Sequence, residues 1–130
     1  ALEQSPGNPD IFTDMAYAQY LQGKYPEAER NLRQAIAIQF DHARAHNNLG
    51  MTLARMNRAD EAMMAFHRGG CSEAAAHSNV GLAMMLEDRP LEARDHYRRA
   101  LKRDSTSMVA AQGLDQADSL IARFRERGLL

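Results

Sequence analysis

An all-α fold is what this sequence predicts: three stacked helix pairs followed by a C-terminal capping helix. Three observations carry the prediction. Strong helix formers fill the stretches between breakers, and no long β-branched alternating run interrupts them. The four prolines and eight glycines fall at a few points rather than throughout. A pattern of small and apolar residues recurs at a shift of 34 and then of 31 residues. A period near 34 marks a helix–turn–helix unit stacked along an axis.

The elements follow in order. Residues 1–8, ALEQSPGN, are polar with a proline and a glycine, and read as a flexible lead-in. Helices are expected over 10–22, 26–39, 43–56, 60–68, 74–87, 90–103 and 107–126. Gly23 ends the first, and Pro26 and Pro90 sit in first turns, where a missing N–H costs nothing. Asp60 is placed to cap the fourth helix. The last helix carries Val109, Leu114, Ala117, Leu120, Ile121 and Phe124 as an apolar stripe opposite a polar face, as a solvating cap requires.

The copies align residue by residue. Ala16 falls on Gly50, Ala28 on Ala62 and Leu32 on Phe66; then Gly50 falls on Gly81, Glu61 on Glu92, Ala62 on Ala93 and Phe66 on Tyr97. The small residues Gly50, Gly81, Ala62 and Ala93 belong where paired helices cross closely. Phe66 and Tyr97 fill the space between repeats. The pattern of a large residue, Leu-Gly, Ala and an aromatic stands as His46, Leu49-Gly50, Ala62 and Phe66. It returns as His77, Val80-Gly81, Ala93 and Tyr97, and the first copy reads Phe12, Met15-Ala16, Ala28 and Leu32. Over residues 9–107 the chain resembles the tetratricopeptide repeat (TPR) family. The resemblance implies a right-handed α-solenoid with repeats over 9–42, 43–73 and 74–107 and a capping helix and tail over 108–130. The second repeat is three residues short and meets Gly69-Gly70-Cys71-Ser72 where its helix should continue. This reads as a deletion tolerated in a connecting turn; the alternative is a changed superhelix angle.

The composition narrows function. The chain has 130 residues, a net charge of −1 and one cysteine. That is one domain's length, without the basic excess of a nucleic-acid binder or the cysteines of a disulfide framework. No apolar run approaches a membrane span. Ser-His-Asp spacing, a Gly-rich phosphate loop and HExxH are all missing, so neither catalysis, a cofactor nor a small-molecule substrate is expected. Carboxylates lie near cations at helical spacing, as in Glu92 with His96 and Asp95 with Arg99. His67 and Cys71 are four apart, but the glycines between them break the helix, and His46 and His77 stand where the family packs a large residue. These read as core or interface histidines and no metal is expected. Arg94, Arg98, Arg99, Lys102 and Arg103 read as a solvated face, with an acidic partner or anionic lipid as the alternative.

In TPR proteins the first helix of each repeat lines an inner surface that binds peptides. Carried onto this chain, the resemblance implies inner positions Thr13, Tyr17 and Tyr20; Arg44, Asn47, Asn48, Met51 and Arg55; and Ser78, Asn79, Leu82 and Met85. The chemistry suits a peptide. Asn48 and Asn79 offer amide donors and acceptors, the tyrosines, Met51, Leu82 and Met85 offer apolar contact, and Arg44 and Arg55 suit carboxylates. By helix phase Met84 faces the partner helix instead. The family's clamp for a chaperone's C-terminal tail needs Lys and Asn in repeat one and Lys and Arg in repeat three. Those places hold Thr13, Tyr17, Ala75 and Asn79 here, so only Asn48 matches and a chaperone-tail ligand is not expected. The segment HARAHNNLGMTLARMNRADEAMMAFHRG also resembles bacterial TPR proteins of pilus and secretion-system assembly. The expected role is a non-catalytic scaffold holding a partner's peptide, in a soluble domain of the cytoplasm or the periplasm. The alternative is a segment of a longer array, or a self-associating subunit, whose groove holds its own terminus, with Gly128-Leu129-Leu130 or the lead-in as internal ligand.

Overall fold

The computed structural model describes residues 7–130; the first six residues of the lead-in lie outside the described residues. The described residues form seven helices and no strand: α1 (Pro9–Leu21), α2 (Tyr25–Ile38), α3 (Ala43–Arg55), α4 (Ala59–Arg68), α5 (Glu73–Leu86), α6 (Pro90–Arg103) and α7 (Met108–Glu126). Each lies within one residue of its expected bounds. The chain divides into two compact units, one running to Cys71 and the other starting at Ser72. The division falls just past the two glycines of the short second repeat.

Within each unit the same construction repeats. In the first, α1 pairs with α2, α3 pairs with α4, and α2 packs on α3. The core is alanine-rich, with Ala16, Ala28, Ala35, Ala45 and Ala62 almost fully buried beside Leu32, Leu53 and Phe66. In the second unit α5 pairs with α6 and α6 packs on α7. Ala76, Val80, Ala83, Met84, Ala93, Tyr97 and Ala100 form its core.

Small residues permit the close crossings. A Cβ on Gly50 would lie 2.6 Å from the Phe66 ring. A Cβ on Gly81 would lie 2.9 Å from the Tyr97 ring, and one on Gly113 would overlap that same ring. Tyr97 is therefore gripped between α5 and α7. Ser107 caps α7 as Ser72 caps α5, and the buried Ala110 and Ala117 fall 34 residues after the buried Ala76 and Ala83, so α7 is built as the first helix of a further repeat as well as a cap. Its buried stripe is Ala110, Gly113, Ala117 and Ile121, while Val109 is exposed. Val109, expected on the apolar stripe, faces outward because the small residues beside Tyr97 set the phase of α7.

The turns also repeat. Gly23, Asn57 and Asp88 each take a left-handed conformation, with φ of 77°, 61° and 57°. Each is followed by a basic residue, Lys24, Arg58 or Arg89, whose N–H reaches back to Gln19, Leu53 or Met84. This tight turn starts α2, α4 and α6 without a side-chain cap. Asp60 is thus not the cap of α4; it lies inside the first turn, favourable to the helix dipole. The other four helices are capped by side chains: Asn8, His42, Ser72 and Ser107. At the end of α4 the two glycines divide the work. Gly70 takes φ of 89°, and Gly69 leaves room for the Asn47 side chain.

Candidate functional site

Helix α1 places Tyr17 and Tyr20 one turn apart, and α3 places Asn48 and Met51 the same way. The four side chains line one depression of about 210 Å³ in the first unit. Its walls are almost wholly apolar, and the Asn48 amide has no protein partner among the described residues. Two aromatic rings, a thioether and one bifunctional amide suit an apolar side chain whose own backbone bonds to the amide.

The cations expected beside this depression are engaged. Arg44 Nη1 donates to Asp14 at 2.8 Å, with Asp10 at 3.7 Å, tying α3 to α1. The Arg55 guanidinium lies 5.5 Å from the Tyr20 ring centre and 5.3 Å from that of Tyr25, and donates to the Tyr20 hydroxyl. Arg55 holds the tyrosine wall upright rather than standing as an open carboxylate receptor. Asn47 turns away from the depression: its amide donates to the Gly69 carbonyl, and the Cys71 thiol donates to its oxygen at 3.4 Å. Thr13 is also not an inner-face residue. It is fully buried, and its hydroxyl donates to the Pro9 carbonyl.

In the second unit α5 and α7 form the corresponding surface. Asn79 and Leu82 line a depression of about 170 Å³ with Val109, Gln112 and Gln116. Ser78 lines it too but is almost buried. Met85 lies further along, against Asp115, Ser119 and Arg123. Sequence reasoning missed the α7 half, because α7 was read only as a solvating cap. The missed signal was Ala110 and Ala117, which stand 34 residues after Ala76 and Ala83. Met84 is buried, as its helix phase implied.

Four of the five histidines are structural, and His67 is exposed. His42 Nδ1 accepts from the Ala45 N–H and its Nε2 donates to Asp10 at 2.6 Å, joining the α3 cap to α1. His46 is buried and donates from Nε2 to the Phe40 carbonyl. His77 and His96 are buried against each other, 3.1 Å apart at Nδ1. Asp95 and Arg99 pair as expected, at 3.0 Å. Glu92 does not pair with His96: it meets Arg89 at the turn, and His96 points inward. Burial pushes the Cys71 thiol up. Among the described residues no cluster of three or more metal-ligating side chains occurs.

A family profile described as TPR repeat matches residues 19–57. The chain has the tetratricopeptide repeat (TPR) fold. Solved TPR domains resemble it along most of its length. The first TPR of Spaghetti (RPAP3), bound to the HSP90 peptide SRMEEVD, is 19% identical, with a TM-score of 0.57 over 88% of this chain and 94% of that one. Pseudomonas aeruginosa pilF is 22% identical at a TM-score of 0.58, with 96% of this chain aligned to 57% of that one. The Yersinia enterocolitica type III secretion chaperone SycD, in complex with a peptide of the translocator YopD, is 16% identical at a TM-score of 0.55, covering 92% and 93%. No curated protein matches the chain in sequence.

Proposed function

We propose that this TPR chain is a non-catalytic scaffold that holds a peptide segment of a protein partner on its inner helix faces. The convergence of Tyr17, Tyr20, Asn48 and Met51 on one apolar depression carries the reading. Asn79, Leu82 and Met85 supply the same mixture of amide and apolar contact on α5. Two TPR domains of similar fold were solved with peptides bound, which supports a peptide as the ligand class. The ligand is an internal or apolar segment rather than a C-terminal carboxylate. Arg44 is tied to Asp14, Arg55 is stacked on tyrosines, and Thr13 is inside the core. A place in bacterial pilus or secretion-complex assembly is supported by the likeness to pilF and SycD.

A second reading, self-association, is favoured by the exposed Leu129 and Leu130 at the end of the chain. One experiment separates the two: affinity capture from a bacterial lysate, wild type beside a Tyr17→Ala, Asn48→Ala, Asn79→Ala variant, with the light-scattering mass of each. We expect a protein retained by the wild type and lost from the variant. A dimer that the variant reduces to monomer, with nothing captured, would replace the scaffold reading by self-association.

A further inference from the structure

Two buried histidines meet between α5 and α6. His77 Nδ1 and His96 Nδ1 are 3.1 Å apart, with ring centres at 5.3 Å and planes inclined by 35°. Both residues are more than nine-tenths buried. A hydrogen bond between two imidazole nitrogens needs one ring to donate and the other to accept. The neutral pair therefore holds a single proton in the gap. When both rings are charged, each Nδ1 carries a hydrogen, and two donors face one another beside two positive charges. We propose that the His77–His96 bond is a pH-sensitive latch that fastens α5 to α6 near neutrality and releases it in mild acid.

The surroundings set the direction. Burial pushes the His77 imidazole below its ordinary range, and Arg99 and Arg103 of α6 act the same way. Glu73 of α5 and Asp95 of α6 oppose them. Glu73 lies 3.9 Å from His77 Nε2, but it is shared with Arg103 at 3.1 Å, and Asp95 is shared with Arg99. Helix α7 contributes no charged group to that set. The folded state thus refuses a proton that the open state accepts. Stability of this unit is complete above the ordinary histidine value near 6.5 and falls as the pH drops below it. The bond lies one turn from the Gly81–Tyr97 contact, so its loss loosens the helix that carries Asn79, Leu82 and Met85. The latch works whether or not the inner face holds a ligand.

The test is amide hydrogen exchange on the full chain, corrected for intrinsic rates, at pH 7.5 and 5.5, with α2, which carries no histidine, as internal reference. For one proton refused by the folded state, opening of α5 and α6 should rise up to about tenfold per pH unit below about 6.5. In His77→Phe, which places in α5 the residue that α1 carries as Phe12, that extra rise should vanish. Equal rises in wild type and variant, or none in the wild type, would overturn the latch. Imidazole nitrogen NMR of the wild type at pH 7.5 gives a second reading independent of the variant. One of the two rings should carry its proton on Nδ1; both rings protonated on Nε2 would overturn it as well.

Discussion

At the scale of single residues, the left-handed turn positions reveal how one geometric demand is met three ways. Gly23 satisfies it without steric cost, whereas Asn57 and Asp88 place a Cβ in a region that L residues rarely adopt. Asp88 is exposed, so its side chain has little packing to lose. Asp88→Gly should stabilise the protein by about 0.5–1 kcal/mol, raising the melting temperature by roughly 2–5 °C; a fall in a thermal melt would show that the aspartate supports the turn in another way. Arg58 shows the opposite economy, in which one side chain serves two elements. It donates to Glu61 at 2.6 Å on its own helix and to Glu29 on α2 at 2.8 Å. Burial raises the Glu29 carboxyl, but Arg58 and Arg33 together hold it below its ordinary value.

At the scale of elements, the small residues fix which helices meet and how closely. Gly113 lets α7 pack directly on α6 rather than lie as a loose lid, because only a missing Cβ lets the Tyr97 ring lie against it. Gly113→Ala should cost about 1–3 kcal/mol through overpacking at the α6–α7 contact. Chemical denaturation measures this directly, and an unchanged midpoint would refute the packing of Tyr97 between α5 and α7. Helix bounds were legible in the sequence to within one residue, since breakers and periodicity are local signals. The caps were less so. His42 is an unusual cap, and the uncapped starts of α2, α4 and α6 follow from turn hydrogen bonds that no residue type announces.

At the scale of the molecule, the histidines pose the question of metal. Five histidines and one cysteine are present, yet they are dispersed. Among the described residues only His77 and His96 face each other, and two nitrogens fall short of the four ligands of a closed zinc site. Equimolar zinc should therefore leave the melting temperature unchanged at pH 7.5. A rise of several degrees that His96→Gln abolishes would make the pair a metal site instead.

The helices, the recurrence of the pattern and the small residues at the crossings were all legible in the amino-acid order alone. Each of these rests on spacing along the chain, and helical periodicity turns spacing into a face. It also brought Tyr17, Tyr20, Asn48 and Met51 onto adjoining faces of α1 and α3. Which polar side chains are already engaged depends instead on how the helices pack. Arg44, Asn47, Arg55 and Thr13 have the same spacing as true inner-face residues. Their availability was settled by Asp14, the Gly69 carbonyl, the Tyr20 and Tyr25 rings and the Pro9 carbonyl. A polar group is claimed by whichever partner lies within about 3 Å, and except for Thr13, bonded within its own helix, that partner lies on another element or past the end of one.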